Sequence, residues 1–239
     1  MGHMPPKLSV IAICLPLCAA LPAFAAKQRM ELVTTEHADF APGGLINVEG
    51  STGELNITGW DQPSVEIITT RYTFREERDK DKAGDRLKRL EVVKMTAGNG
   101  ELTISTTLKH VAWVHLDYQI MVPRNSRLVI HHRIGDVLVT NVAGDIEATA
   151  RYGDIVVQLP EREHYAIDAK CRFGTVYSDF NNPVRHFMGE SLAQDSPVSS
   201  AADAKGPSRR VNLRVGTGGI TVQKMDSAVP DAAPPGAGF

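Results

Sequence analysis

Apolar and polar residues alternate through most of this chain, and glycine-centred breaks interrupt the alternation at short intervals. Residues 45–49 and 54–60 read as strands split by Gly50-Ser51-Thr52-Gly53. Asp61-Gln62-Pro63 is a turn, and 64–74 is a longer strand carrying Val65, Ile67, Ile68, Thr69 and Thr70. Period-two patterning with β-branched residues between turn clusters is the signature of half-buried strands. The pattern resumes at 90–96 and 101–108, around Gly98-Asn99-Gly100, and again at 113–122, closed by Pro123. Between these, 75–86 is densely charged with mixed sign. It predicts a solvated loop leading into a short helix near 84–90.

From 127 to 180 the alternation becomes a repeat. Gly135-Asp136 leads Val137-Leu138-Val139, Gly144-Asp145 leads Ile146-Glu147-Ala148, and Gly153-Asp154 leads Ile155-Val156-Val157, in steps of nine residues. Arg133-Ile134-Gly135-Asp136 returns 18 residues later as Arg151-Tyr152-Gly153-Asp154. Weaker echoes follow at Arg172-Phe173-Gly174-Thr175 and Arg214-Val215-Gly216-Thr217. Fixed-period self-similarity marks stacked architectures. Glycine supplies the backbone freedom of a tight corner, and the neighbouring Asp can bond the backbone there.

The expected fold is therefore all-β: a single-domain β-solenoid of two-sided coils of about 18–21 residues, with an N-terminal strand or hairpin cap. Val137 should lie under Ile155 and Val139 under Val157. The hairpin of 64–96 is expected to cap one end. The last strand, 220–223, is expected to leave the other end open to another chain.

The ends of the sequence change the picture. Lys7, an apolar run over 8–21 and Ala23-Phe24-Ala25 form a secretory signal pattern with cleavage after Ala25. The expected division is a signal over 1–25, the β-solenoid domain over 26–225 with a mobile insertion at 181–210, and a disordered tail over 226–239. The insertion carries Pro183, Pro197 and Pro207, and the tail is rich in Pro, Ala and Gly. A periplasmic or secreted location follows from the signal, and no stretch is long enough for a transmembrane helix.

Of three cysteines, Cys14 and Cys18 leave with the signal, so Cys171 has no intramolecular partner. It reads as a small buried apolar residue. Removing Lys7 from 26 basic residues leaves 25 against 28 acidic ones. That balance gives no electrostatic case for nucleic acid as a partner.

The opening run Pro42-Gly43-Gly44-Leu45-Ile46-Asn47-Val48, then Gly53-Glu54-Leu55-Asn56-Ile57-Thr58-Gly59-Trp60-Asp61, resembles a bacterial putative-adhesin family of the head-GIN, unknown-function kind. The resemblance continues through 118–123, the Gly-Asp repeats and 213–220, and spans roughly 30–224. It implies an envelope-located β-solenoid, and it implies no catalytic residues.

Two surfaces are candidates for function. Arg133, Arg151 and Arg172 should stack in successive coils as a line of anion-binding guanidinium groups. In the competing reading, Asp136 and Asp154 pair with these arginines and make a structural ladder. Leu138, Val156 and Tyr177 should form an outer apolar stripe, covered by the 181–210 insertion or the early strands, or else docking a partner.

Calcium at stacked Asp136 and Asp154 lacks the Gly-Gly-x-Gly-x-Asp pattern of a β-roll. The histidines show no i, i+4 metal spacing, and neither a Gly-x-Ser-x-Gly elbow nor a phosphate loop occurs. The expectation is a non-enzyme: a cell-envelope binding or adhesin-like protein without metal or cofactor. Its partner would be an envelope glycan or another envelope protein. The alternatives are a self-assembling scaffold, homo-oligomeric through a solenoid edge, and a polysaccharide lyase or hydrolase.

Overall fold

The computed structural model describes residues 28–75, 87, 93–98, 100–106, 114–161, 165–180, 185–186, 191–195 and 209–225. The signal at 1–25 and the tail at 226–239 lie outside these residues, as does most of the expected helix near 84–90. Its one described member, Leu87, is helical and buried.

All elements with described bounds are strands. The first seven are β1 (Gln28–Asp39), β2 (Leu45–Thr52), β3 (Leu55–Trp60), β4 (Ser64–Arg75), β5 (Val93–Gly98), β6 (Glu101–Thr106) and β7 (His115–Pro123). Next come β8 (Arg127–Ile134), β9 (Val137–Thr140), β10 (Ile146–Tyr152), β11 (Ile155–Pro160), β12 (Tyr165–Phe173) and β13 (Thr175–Ser178). The chain closes with β14 (Arg185–His186), β15 (Ser191–Asp195), β16 (Arg209–Thr217) and β17 (Ile220–Met225). The all-β expectation holds.

Alternation does the sorting. In β7, Leu116, Tyr118, Ile120 and Val122 point inward while His115, Asp117, Gln119 and Met121 do not. The same parity runs through both sheets, and the inward residues form one apolar core between them. Burying such faces against each other is the dominant stabilising term, about 25 cal/mol per Å² of apolar surface.

One sheet has the order β1-β4-β7-β3-β9-β11-β17-β13-β14, and the other β15-β12-β16-β10-β8-β2-β6-β5. Matched end to end, the interiors run level by level: β6 with β7, β2 with β3, β8 with β9, β10 with β11, β16 with β17, β12 with β13. Strands on adjacent levels pair in parallel. Val137 pairs with Ile155 and Val139 with Val157, as expected.

Two expectations change. The last strand pair does not lie at an end. β16 sits between β10 and β12, and β17 between β11 and β13. Nor does 64–96 form a hairpin: β4 pairs with β1 and β7, β5 pairs with β6, and the two lie in different sheets. These antiparallel strands lie at the end of each sheet that β1 and β5 terminate. Within 181–210, Arg185–His186 and Ser191–Asp195 are edge strands, antiparallel to β13 and β12. The rest of 181–208 lies outside the described residues.

Candidate functional site

A tight corner joins β2, β8, β10, β16 and β12 of one sheet to β3, β9, β11, β17 and β13 of the other. Gly53, Gly135, Gly153, Gly218 and Gly174 occupy it on successive levels, with φ between +98° and +147°. L residues avoid that region. Space is the second constraint. A Cβ on Gly135 would meet the Gly53 carbonyl oxygen at 2.1 Å, one on Gly153 the Gly135 oxygen at 1.9 Å, and one on Gly174 the Gly218 oxygen at 1.8 Å. The glycines thus form a column in which each backbone rests on the next.

Aspartate locks the column. Asp136 Oδ1 accepts the Asp154 backbone N–H at 2.9 Å, and Asp154 Oδ1 accepts the Gly219 N–H at 2.6 Å. Two levels further out, Asp117 Oδ1 accepts the Glu54 N–H at 3.2 Å. Among the described residues, no ion pair joins Asp136 or Asp154 to Arg133 or Arg151. The carboxylates stitch neighbouring corners together instead of neutralising the arginines.

The residue before each corner glycine has inward parity, yet the turn lifts it out of the core. Ile134 is 57% exposed, Tyr152 45% and Phe173 47%. Register places them in one row: Thr52 beside Ile134, Ile134 beside Tyr152, Tyr152 beside Thr217, Thr217 beside Phe173. Three large exposed apolar side chains in one row form a patch of the kind that marks interaction sites. Parity alone assigns them to the interior. The signal that finds them is their place directly before a corner glycine.

The predicted arginines flank this row on the outer face. Arg151 lies over the Tyr152 ring at 5.3 Å and Arg172 over the Phe173 ring at 5.3 Å, each a cation–π contact that steadies its aromatic neighbour. Arg133 and Arg151 fall on adjacent levels, but β16 intervenes before Arg172 and presents Gly216 there. The echo at Arg214-Val215-Gly216-Thr217 is therefore two residues out of phase, because Gly218 is the corner glycine. Arg214 instead donates to the Asp168 carboxylate and carbonyl on β12.

Leu138 and Val156 do pair on the outer face of the other sheet. Thr221 separates Val156 from Tyr177. Leu138 and Val156 are half-buried, and Tyr177 is 37% exposed. Asp179 hydrogen-bonds the Tyr177 hydroxyl and raises its pKa. The stripe is thus interrupted, and beside it runs a polar ladder from Thr140 to Gln158 to Gln223.

Beneath the corner lies an interior column of Ser51, His132, Ala150, Val215 and Cys171. Ser51 Oγ and His132 Nδ1 are 2.7 Å apart, and both residues are buried. Burial holds the imidazole pKa below its ordinary value, opposed by backbone groups of Ile134, Gly135 and Gly53 and by the Asp136 charge. A hydroxyl beside an imidazole resembles an activated nucleophile, but solvent does not reach Ser51. Cys171 is buried as expected, its Sγ donating to the Gly218 carbonyl at 2.9 Å. Among the described residues, no cluster of three metal-ligating side chains occurs.

No family model matches the chain, and no curated protein matches it significantly. Among solved structures it is similar to a putative cell adhesion protein from Clostridium sporogenes, with 14% identity and a TM-score of 0.48 over 83% of this chain and 100% of that one. It is also similar to putative adhesins from Bacteroides fragilis (11% identity, TM-score 0.27, 81% of this chain and 97% of that one) and Parabacteroides distasonis (13%, 0.24, 81% and 97%). These neighbours carry an adhesin label. With TM-scores below 0.5, the likeness carries no argument about this chain.

Proposed function

We propose that this protein is a non-catalytic, adhesin-like binding protein of the cell envelope, wound as a β-solenoid and belonging to the family its sequence resembles. The parallel pairing of successive strands and the identical order of levels in both sheets support the winding. The signal pattern ending at Ala25 supports a periplasmic or secreted location. The observation that carries the binding role is the exposed row of Ile134, Tyr152 and Phe173, flanked by Arg133, Arg151 and Arg172. A non-catalytic reading fits the burial of the Ser51–His132 pair.

Cosedimentation with isolated envelopes tests this reading. Mature protein is expected to pellet with envelopes, and an Ile134→Ser/Tyr152→Ser/Phe173→Ser variant to stay in solution with an unchanged circular dichroism spectrum. Equal pelleting by both proteins removes the row as the binding face.

One observation favours a scaffold instead. Among the described residues, β1 is a 12-residue strand paired on one side only, to β4, and it forms the edge of its sheet. Open edges template pairing with another chain. Light scattering that grows with concentration, and is abolished by Val33→Pro, would shift the assignment to assembly through this edge.

A further inference from the structure

We propose that the row at the glycine corner takes a neutral β-1,4-linked glycan, laid along the stack axis across Tyr152 and Phe173. The inference rests on the binding reading above and names its ligand class.

Three features of the row point there. The first is spacing. Levels in a sheet are about 4.8 Å apart, so Tyr152 and Phe173, with one level between them, stand about 9.6 Å apart. That separation is comparable to one disaccharide of an extended β-1,4 chain, in which every second sugar presents the same face. Two ring platforms at that interval can each support an apolar sugar face.

The second feature is relief. On the level between the two aromatics, β16 and β17 contribute Gly216 on one flank and Gly219 on the other, with Thr217 in the row. That level supplies no side chain of its own on either flank, and on one of them the Asp154 carboxylate reaches across to Gly219. The row therefore dips between the two rings and leaves room for the intervening sugar, with the Thr217 hydroxyl beneath it.

The third is charge. Arginine forks line one flank, at Arg133, Arg151 and Arg172, and carboxylates line the other, at Asp136 and Asp154. A backbone N–H holds one oxygen of each carboxylate, which fixes its orientation. Forks and carboxylates both bond pairs of hydroxyls. A polyanion would meet the aspartates and a polycation the arginines, whereas a chain of uncharged hydroxyls can use both flanks. The cation–π contacts of Arg151 and Arg172 keep the two rings in place before any ligand arrives, and preorganisation of this kind raises affinity.

The test uses mature protein with cellohexaose and chitohexaose, alongside an acidic polyuronate and vesicles containing anionic lipid, read by titration calorimetry and vesicle pelleting. The expected result is saturable binding to at least one of the two neutral hexasaccharides, nearly unchanged between low and high salt. Tyr152→Ala and Phe173→Ala should each weaken it about tenfold, while Leu138→Ala leaves it intact. Binding only to the polyuronate or the vesicles, falling steeply with salt, overturns the glycan assignment. So does the absence of binding to either neutral chain. Concentration-dependent dimers abolished by the same two substitutions would assign the row to a second copy and also overturn it. If envelopes still retain the protein through the row while both hexasaccharides fail, the binding face stands and only the ligand class falls.

Discussion

The two corners of the strand stack follow opposite rules. At the glycine corner four of the five passages between sheets are two residues long, from Ile134 to Val137 and from Tyr152 to Ile155 alike, the fifth is the single Gly174, and the same column of glycines recurs. At the far corner the passages vary. Pro123 reaches Arg127 over three residues, Thr140 reaches Ile146 over five, and the segment containing β14 and β15 departs after Ser178. Backbone meets backbone there too, a Cβ on Gly59 facing the Asn141 carbonyl oxygen at 2.0 Å and one on Gly144 the Ser126 oxygen at 1.9 Å, but side chains also bridge the levels. Arg124 donates to both Asp61 oxygens at 3.0 and 3.1 Å and to the Asn141 side chain at 2.8 Å. Asn141 sits at φ 60° and donates to the Gly59 carbonyl at 3.0 Å. Where the glycine column recurs level after level, the passages stay short. Where side chains bridge the levels, length varies.

The largest effect that would break this contrast is steric. Gly153→Ala places a methyl group 1.9 Å from a carbonyl at a φ that L residues avoid, and should cost about 3 kcal/mol or more in urea unfolding. Gly43→Ala also has positive φ but meets nothing within 4 Å, and should cost about 1 kcal/mol. Equal costs for the two would mean that dihedral preference, not crowding, makes the glycine column.

A smaller effect comes from pH. Because His132 is held neutral, with its pKa below the unfolded value, the unfolded chain takes up its proton first. The stability His132 contributes is complete above the unfolded value of about 6.5 and is lost as pH falls below it, at up to about 1.4 kcal/mol per pH unit. Unfolding midpoints of wild type should drop through this range, and those of His132→Gln should drop less. Matching profiles would show that the imidazole beneath the glycine corner does not contribute.

The smallest effect is expected at the far corner. Arg124→Ala removes a bidentate pair whose partners are largely solvated, and should cost about 1 kcal/mol or less. A loss equal to that of Gly153→Ala would erase the distinction between the two corners.

What the sequence revealed follows the same division. The glycine corner was legible because Gly-Asp pairs return at fixed spacing, so the pairing of Val137 with Ile155 could be read directly. The order of levels was not, since nothing local in 209–225 says which strands it will separate. The Arg echo points to Gly216 as the corner, and the corner is Gly218. Only the contact between Gly218 and Gly153 selects the right residue. The exposed row escaped notice for a related reason: Ile134, Tyr152 and Phe173 carry the parity of core residues, and only the turn geometry brings them to solvent. The arginines beside them are expected in successive coils, and β16 lies between Arg151 and Arg172.

The placement of β16 and β17 has a consequence for how the molecule is completed. A ribosome delivers 165–178 before 209–225, yet the later segment occupies the space between the earlier one and its predecessor. The penultimate layer cannot reach its final neighbours until the carboxy-terminal ribbon has been threaded or folded in. Loss of those last strands would split both walls of the protein instead of trimming an end.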